Sequence, residues 1–342
     1  MKNLLFTASL ALLGFAAVAQ TQTTAAPYRL LRTIPIGGEG GWDFLTVDPA
    51  GERLYVAHAT QTEVIDLKTH RLIGTIPNTP AAHGVAVVPS ANRGYVSCGR
   101  NNFCVLFDLK TLKNLGTIAT GPKPDAVFYD AFSRRVFAFS NEGGRSSVLD
   151  PATGKVIGTA ELGGDVELTA TDGKGHVFVN LEDKSEVVEF DAKTLAVLHR
   201  YPLAPGTEPT GLAFDAKNNR LFSACANEKL IVTDSKTGRQ VAVLPIGKGV
   251  DGAAFDAATG NILTTNGDGT LTVIHQDSPT KYTVVATIAT AKGARTIAQD
   301  SKTHHFFTCT ADLGPTPAAT ADNPKPRPSI VPGTFRVLEF GN

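Results

Sequence analysis

Three phrases of six residues set the reading of this chain. Arg71-Leu-Ile-Gly-Thr-Ile76 returns as Lys113-Asn-Leu-Gly-Thr-Ile118 and again as Lys155-Val-Ile-Gly-Thr-Ala160. Upstream of it, Val64-Ile-Asp-Leu-Lys-Thr69 returns as Leu106-Phe-Asp-Leu-Lys-Thr111, Glu189-Phe-Asp-Ala-Lys-Thr194 and Val232-Thr-Asp-Ser-Lys-Thr237. A third landmark, a small hydrophobic run ending in Asp or Pro, closes at Asp48, Pro89, Asp130, Asp172, Asp215, Asp256 and Asp300, at intervals of 41, 41, 42, 43, 41 and 44 residues. Self-similarity at such a period fixes the architecture before any single residue does.

Each repeat holds four strand-like runs, in the first roughly 43–48, 53–58, 62–67 and 71–76. Four strands per unit of this length make the blade of a propeller, and seven copies close a ring. The expectation is an all-β, seven-bladed β-propeller with four antiparallel strands per blade. After Asp300 only two further strands follow, at 305–309 and 334–340, so the last blade lacks its outer strand. Tyr28–Pro35 matches His70–Pro77 at an offset of 42 residues, and this N-terminal strand is predicted to complete the last blade. Closure of that kind leaves no sheet interface open.

Arg53-Leu-Tyr-Val56, Arg93-Gly-Tyr-Val96 and the Asp-x-x-Thr turns resemble the YVTN-type repeats of YncE-like seven-bladed propellers, over essentially the whole mature chain. The resemblance implies the fold and a binding or scaffold role; the motif residues build strands and turns and carry no chemistry themselves.

Lys2, the apolar run from Leu4 to Val18 and Ala17-Val-Ala19 before Gln20 have the form of a cleavable leader. Residues 1–19 are therefore expected to be a signal peptide, 20–27 a linker and 28–342 the propeller, in a periplasmic or secreted protein with no membrane span in the mature chain. Its 32 basic and 32 acidic side chains balance, and loss of Lys2 leaves 31 against 32. That balance gives no electrostatic reason to expect nucleic acid as a partner. Cys98 and Cys104 flank a Gly-Arg-Asn-Asn-Phe turn and are expected to pair as a disulfide across a hairpin, whereas Cys225 and Cys309 occupy equivalent strand sites and read as buried thiols.

The loops leading into the innermost strands, Gly-rich and polar, converge on one face. The residue five before each landmark is Asp43, Gly84, Asp125, Glu167, Thr210, Asp251 and Arg295, with His83 beside the second. Seven blades around one axis would place these at the mouth of the channel. Trp42, Asp43, His83, Asp125, Glu167, Asp251 and Arg295 are the candidate ligand-binding residues. Each has a bland alternative, since short acidic residues at strand starts also satisfy loop N–H groups, and Trp42 could fill the channel instead of stacking on a ligand. Crowded carboxylates repel unless a cation or Arg295 compensates, and a hard divalent ion such as Ca²⁺ suits oxygen ligands. No cofactor motif is present beyond that.

Thr310 to Pro332 interrupts the last repeat, with six prolines between 315 and 332. This insertion, 311–333, is expected to run extended over the channel mouth with Arg327 near the acidic ring. Nucleophile elbows, zinc motifs and P-loops are all absent from the sequence. The first expectation is thus a monomeric module that binds a small molecule or an exported protein through the mouth loops. The second is a lactone hydrolase or lyase using His83, Glu167, Asp125 and Arg295.

Overall fold

The computed structural model of the protein describes residues 28–320 and 326–342. The expected leader and linker lie outside the described residues. Among the described residues there are 28 strands in seven four-stranded antiparallel sheets, joined in chain order around a closed ring. No described helix is long and apolar enough to cross a membrane.

Blade 1 is typical, with strands Trp42–Asp48, Arg53–His58, Gln61–Asp66 and Arg71–Ile76 from axis to rim. The burial of each strand follows its place in the blade. The second and third strands are covered on both faces by neighbouring blades and read as unbroken buried runs, whereas the outermost strand is largely exposed. Seven hydrophobic clusters fill the seven seams between blades. The largest joins Phe137 and Phe139 of blade 3 to Val177, Val179 and Phe190 of blade 4. Full burial of such a side chain stabilises by about 1.5–3 kcal/mol, so the seams dominate the energetics.

Arg29–Pro35 pairs with Arg336–Gly341 as the outer strand of blade 7, from Arg29 opposite Gly341 to Pro35 opposite Arg336. The chain ends thus meet in one sheet. Tyr28 and Ile34 are buried there, and Arg32 reaches the buried Glu339 at 3.2 Å. His70 and His305 share that carboxylate, at 3.0 and 2.7 Å.

In blades 1 to 5 the Asp-x-x-Thr motif builds the turn before the outer strand. Asp66 Oδ1 accepts hydrogen bonds from the backbone N–H groups of Lys68 and Thr69 (3.0 and 2.7 Å) and from Thr69 Oγ1 (2.8 Å). Those donors hold the Asp66 carboxyl below its ordinary range, the Thr69 backbone N–H most. His275, in the sixth slot, bonds Asn261 instead, at 3.0 Å. All these turns lie on the face opposite the channel mouth.

The Cys98–Cys104 disulfide does not form: both thiols are free and buried. Cys104 stands opposite Ser97, and Cys98 opposite Phe103. An offset of one residue sends the two side chains to opposite faces of the blade, Cys98 into the seam with blade 1 and Cys104 into the seam with blade 3. Cys225 and Cys309 are also free and buried.

Candidate functional site

The inner strands of blades 1 to 6 share one irregularity. Trp42 pairs with His58, but the next paired residue is Leu45, opposite Val56, so one extra residue is accommodated. The same bulge follows Ala82, Pro124, Val166, Pro209 and Val250. A bulge bends the strand and re-aims a side chain, and here it does so at the residue after each of those six, on the rim of the axis.

The pairing also corrects the alignment of blade 2. Val88 stands opposite Arg93 as Asp48 stands opposite Arg53, so Val88 and not Pro89 is the equivalent landmark. His83 therefore holds the ring slot, and Gly84 sits one residue further in. A Cβ on Gly84 would lie 2.9 Å from Val127 N, which is why no side chain fits there.

The structure brings five of the expected residues into one chain of alternating charge. Arg295 Nε donates to Asp251 Oδ2 at 2.6 Å, and Arg295 Nη2 approaches Asp43 Oδ1 at 3.8 Å. His83 Nδ1 donates to Asp43 Oδ2 at 2.5 Å and lies 3.1 Å from Asp125 Oδ1. The order Asp251, Arg295, Asp43, His83, Asp125 runs through blades 6, 7, 1, 2 and 3. Burial would push the imidazole down, but Asp125 and Asp43 outweigh it and lift His83 to about 10. Burial raises Asp43 and Asp251, with His83 and Arg295 acting against the rise.

Glu167 of blade 4 lies outside this chain. Asn141 Nδ2 donates to its Oε1. Burial, then the charges of Asp125, Asp251, Glu182 and Asp43, raise Glu167 to about 10, so it is neutral at pH 7. Glu182 is raised too, by burial first, with the neighbouring Glu167 acting against the rise. Thr210 completes the ring in blade 5, donating to Val250 O at 3.1 Å.

The ring is held from behind by buried polar residues on the second strands. Ser97 donates to Asp125 O, Asn180 Nδ2 to Thr210 O at 3.2 Å, and Thr265 Oγ1 to Arg295 O at 2.6 Å. Each tie reaches from one blade to the ring residue of the next, and each donor is fully buried. A satisfied buried polar group of this kind fixes position.

Trp42 is 8% exposed, stacks on Phe335 at 5.6 Å and donates from its indole N–H to Gly293 O at 3.3 Å. It thus belongs to the seam between blades 7 and 1, with one edge on the mouth. Two adjoining cavities of about 740 and 820 Å³ open there and share Gly41, Trp42, Arg295 and Arg327. Their lining adds basic residues, Arg100 and Lys123 in one and Lys248 in the other. Deeper along the axis a cavity of about 280 Å³ is walled mainly by apolar inner-strand residues such as Phe44, Val85 and Phe128.

The proline-rich insertion returns on itself. Leu313 bridges Ile330, Gly314 N donates to Ser329 O at 2.8 Å, and Gly333 N donates to Gly38 O at 2.7 Å. Arg327, Pro328 and Ile330 form part of the cavity wall, and Arg327 lowers the carboxyl of Asp251 against the effect of burial.

Ser97, Asn141, Asn180, Glu182 and Thr265 were not singled out in the sequence. Asn141 and Glu182 directly follow the second strands of their blades, where the other blades carry Ala59, Gly99, Ala226, Gly267 and Ala311. Aligning that column across the repeats would have exposed the two polar exceptions.

A family described as outer membrane protein assembly factor BamB has a model that matches residues 105–309, more than half of the chain. Among solved structures, hydrazine synthase of Kuenenia stuttgartiensis is similar over 86% of this chain and 96% of its own, with 14% identity and a TM-score of 0.67. At that identity the likeness concerns the fold alone. No curated protein matches the chain.

Proposed function

The chain belongs to the outer membrane protein assembly factor BamB family, and from that premise we propose that it is an exported binding module that works through its channel mouth. The YncE-like character of the Arg-x-Tyr-Val repeats is the finer form of the same placement and supports the same role. The observation that carries the reading is the mouth itself. Asp43 lines the first of two cavities, and Asp125 and Asp251 stand to either side of it on bulged inner strands, joined through His83 and Arg295, with basic residues further out. Such an arrangement suits an extended peptide segment of an exported partner, offering an ammonium group to the inner carboxylates and polar or acidic groups to the rim.

Trp42 is the sole tryptophan and serves as a reporter at the mouth. Titration of the mature protein with short lysine-bearing peptides and their acetylated counterparts should change Trp42 fluorescence, more weakly for the acetylated set. Asp251→Asn and deletion of residues 313–331 should each weaken the response. Equal binding of both peptide sets, unaffected by either change, would argue against the mouth as the binding site.

One observation favours a second reading, a lactone hydrolase or lyase. His83 is hydrogen-bonded to a carboxylate and lines a cavity large enough for a substrate. Its raised pKa leaves it protonated at pH 7, which suits a general acid better than a base. Turnover of a lactone panel that is lost in His83→Ala would establish this reading over simple binding.

A further inference from the structure

We propose that Asp43, His83 and Asp125 form a site for one divalent transition-metal ion, bound through Asp43 Oδ2, His83 Nδ1 and a carboxylate oxygen of Asp125. The inference rests on the mouth being a working surface, and it adds the class of ion that the surface takes. The three donor atoms lie within 4.8 Å of one another and come from the inner strands of three consecutive blades. Each is set by the same bulge, so the separation is fixed by the sheets rather than by loops.

The hydrogen bonding within the group is incomplete in a way that an ion would complete. One imidazole nitrogen faces two carboxylates, at 2.5 and 3.1 Å, and can carry only one hydrogen. That hydrogen goes to Asp43 Oδ2. Asp125 Oδ1 is left buried with no hydrogen-bond partner, an arrangement that native structures seldom keep without a reason. An ion in place of the shared hydrogen would serve all three atoms at once. Arg295, on the other oxygen of Asp43, directs Oδ2 toward His83 and acts as an outer support for the ligand set. His83 is a third exposed and borders the cavity, so further coordination positions would face water or a bound molecule.

The donor set selects the ion. One imidazole with two carboxylates suits Mn²⁺, Co²⁺, Ni²⁺ or Zn²⁺. Ca²⁺ takes about six to eight oxygen ligands, which two carboxylates do not supply, so the geometry moves the choice away from the Ca²⁺ suggested by composition alone.

The test uses the mature chain, stripped with a chelator, then titrated calorimetrically with Mn²⁺, Co²⁺, Ni²⁺, Zn²⁺, Ca²⁺ and Mg²⁺. The expected result is one equivalent of a transition ion, with Ca²⁺ and Mg²⁺ bound at least about 100-fold more weakly. His83→Ala should abolish binding, so that the visible spectrum of the Co²⁺ form no longer develops. Asp125→Asn keeps the shape of the site and should weaken binding by about 10-fold or more, so the test stands even where the histidine variant folds poorly. Asp172→Asn, in the His176–Asp172 pair of the opposite face, should leave binding unchanged. No heat and no melting shift with any of the four transition ions would overturn the proposal. So would a site that survives intact in Asp125→Asn. Either failure leaves peptide binding at the mouth of the metal-free protein to be judged by its own titration.

Discussion

Arg295 Nε donates to Asp251 Oδ2 at 2.6 Å, linking the loop that leads into blade 7 to the inner strand of blade 6. The same guanidinium reaches Asp43 and the carbonyl oxygen of Trp42 (3.4 Å), so one cation spans the point where the ring closes. It sits at the blade whose inner strand is reduced to Ala298–Gln299, where backbone pairing is weakest.

Arg295→Ala should therefore destabilise the protein by about 1–3 kcal/mol, because it leaves the largely buried Asp251 without its cation and Asp43 with His83 alone. The figure is below that of a fully buried pair, since the guanidinium is 30% exposed. Adding Asp251→Asn should recover part of the loss, and thermal or denaturant melts of the two singles and the double measure it. Additive losses would show that the pair is not coupled.

Glu167 gives a pH signature. Its carboxyl is raised from 4.5 to about 10 in the folded protein, chiefly by burial. A raised group stabilises the fold fully below its unfolded value, and the contribution drains away as pH rises toward the folded value, at up to about 1.4 kcal/mol per unit. Glu167→Gln stays neutral throughout. Its melting temperature should match the wild type near pH 4.5 and exceed it increasingly toward pH 9. His83, raised to about 10, also loses its contribution as pH climbs above 6.5, so only the difference between variant and wild type isolates Glu167. A difference that does not change with pH would contradict the assignment.

The thiols provide a third check. Burial pushes Cys98, Cys225 and Cys309 up to about 12, and Cys104 higher still. A disulfide-exchange reagent at pH 8 should find no reactive thiol in the native protein and four in the unfolded chain. Two thiols rather than four after unfolding would mean that Cys98 and Cys104 are joined after all.

The sequence made the fold legible because the repeat is rigid in length: period, strand count and the shared last blade all follow from landmarks that recur every 41 to 44 residues. The ring was readable for the same reason, with one slip. The short Pro89–Ala91 turn shifts blade 2 by one residue, so the landmark rule pointed at Gly84 and only its neighbour His83 holds the slot. The disulfide expectation erred by a single register step in the blade 2 hairpin, which spacing does not reveal. Glu182 and Asn141 escaped because they belong to the loops between second and third strands. Their link to Glu167 exists only once the blades are folded beside one another.

The most direct measurement places a photo-crosslinking residue at Thr60, exposed on the mouth cavity, or at Lys68, exposed in a turn of the opposite face. Each protein is irradiated among the proteins of the cell envelope, the compartment proposed for it. If the mouth carries the function, adducts form at Thr60, fade when Asp43→Asn and Asp251→Asn are added, and are absent at Lys68. Adducts at Lys68 in equal yield, or adducts at Thr60 indifferent to those changes, would contradict it.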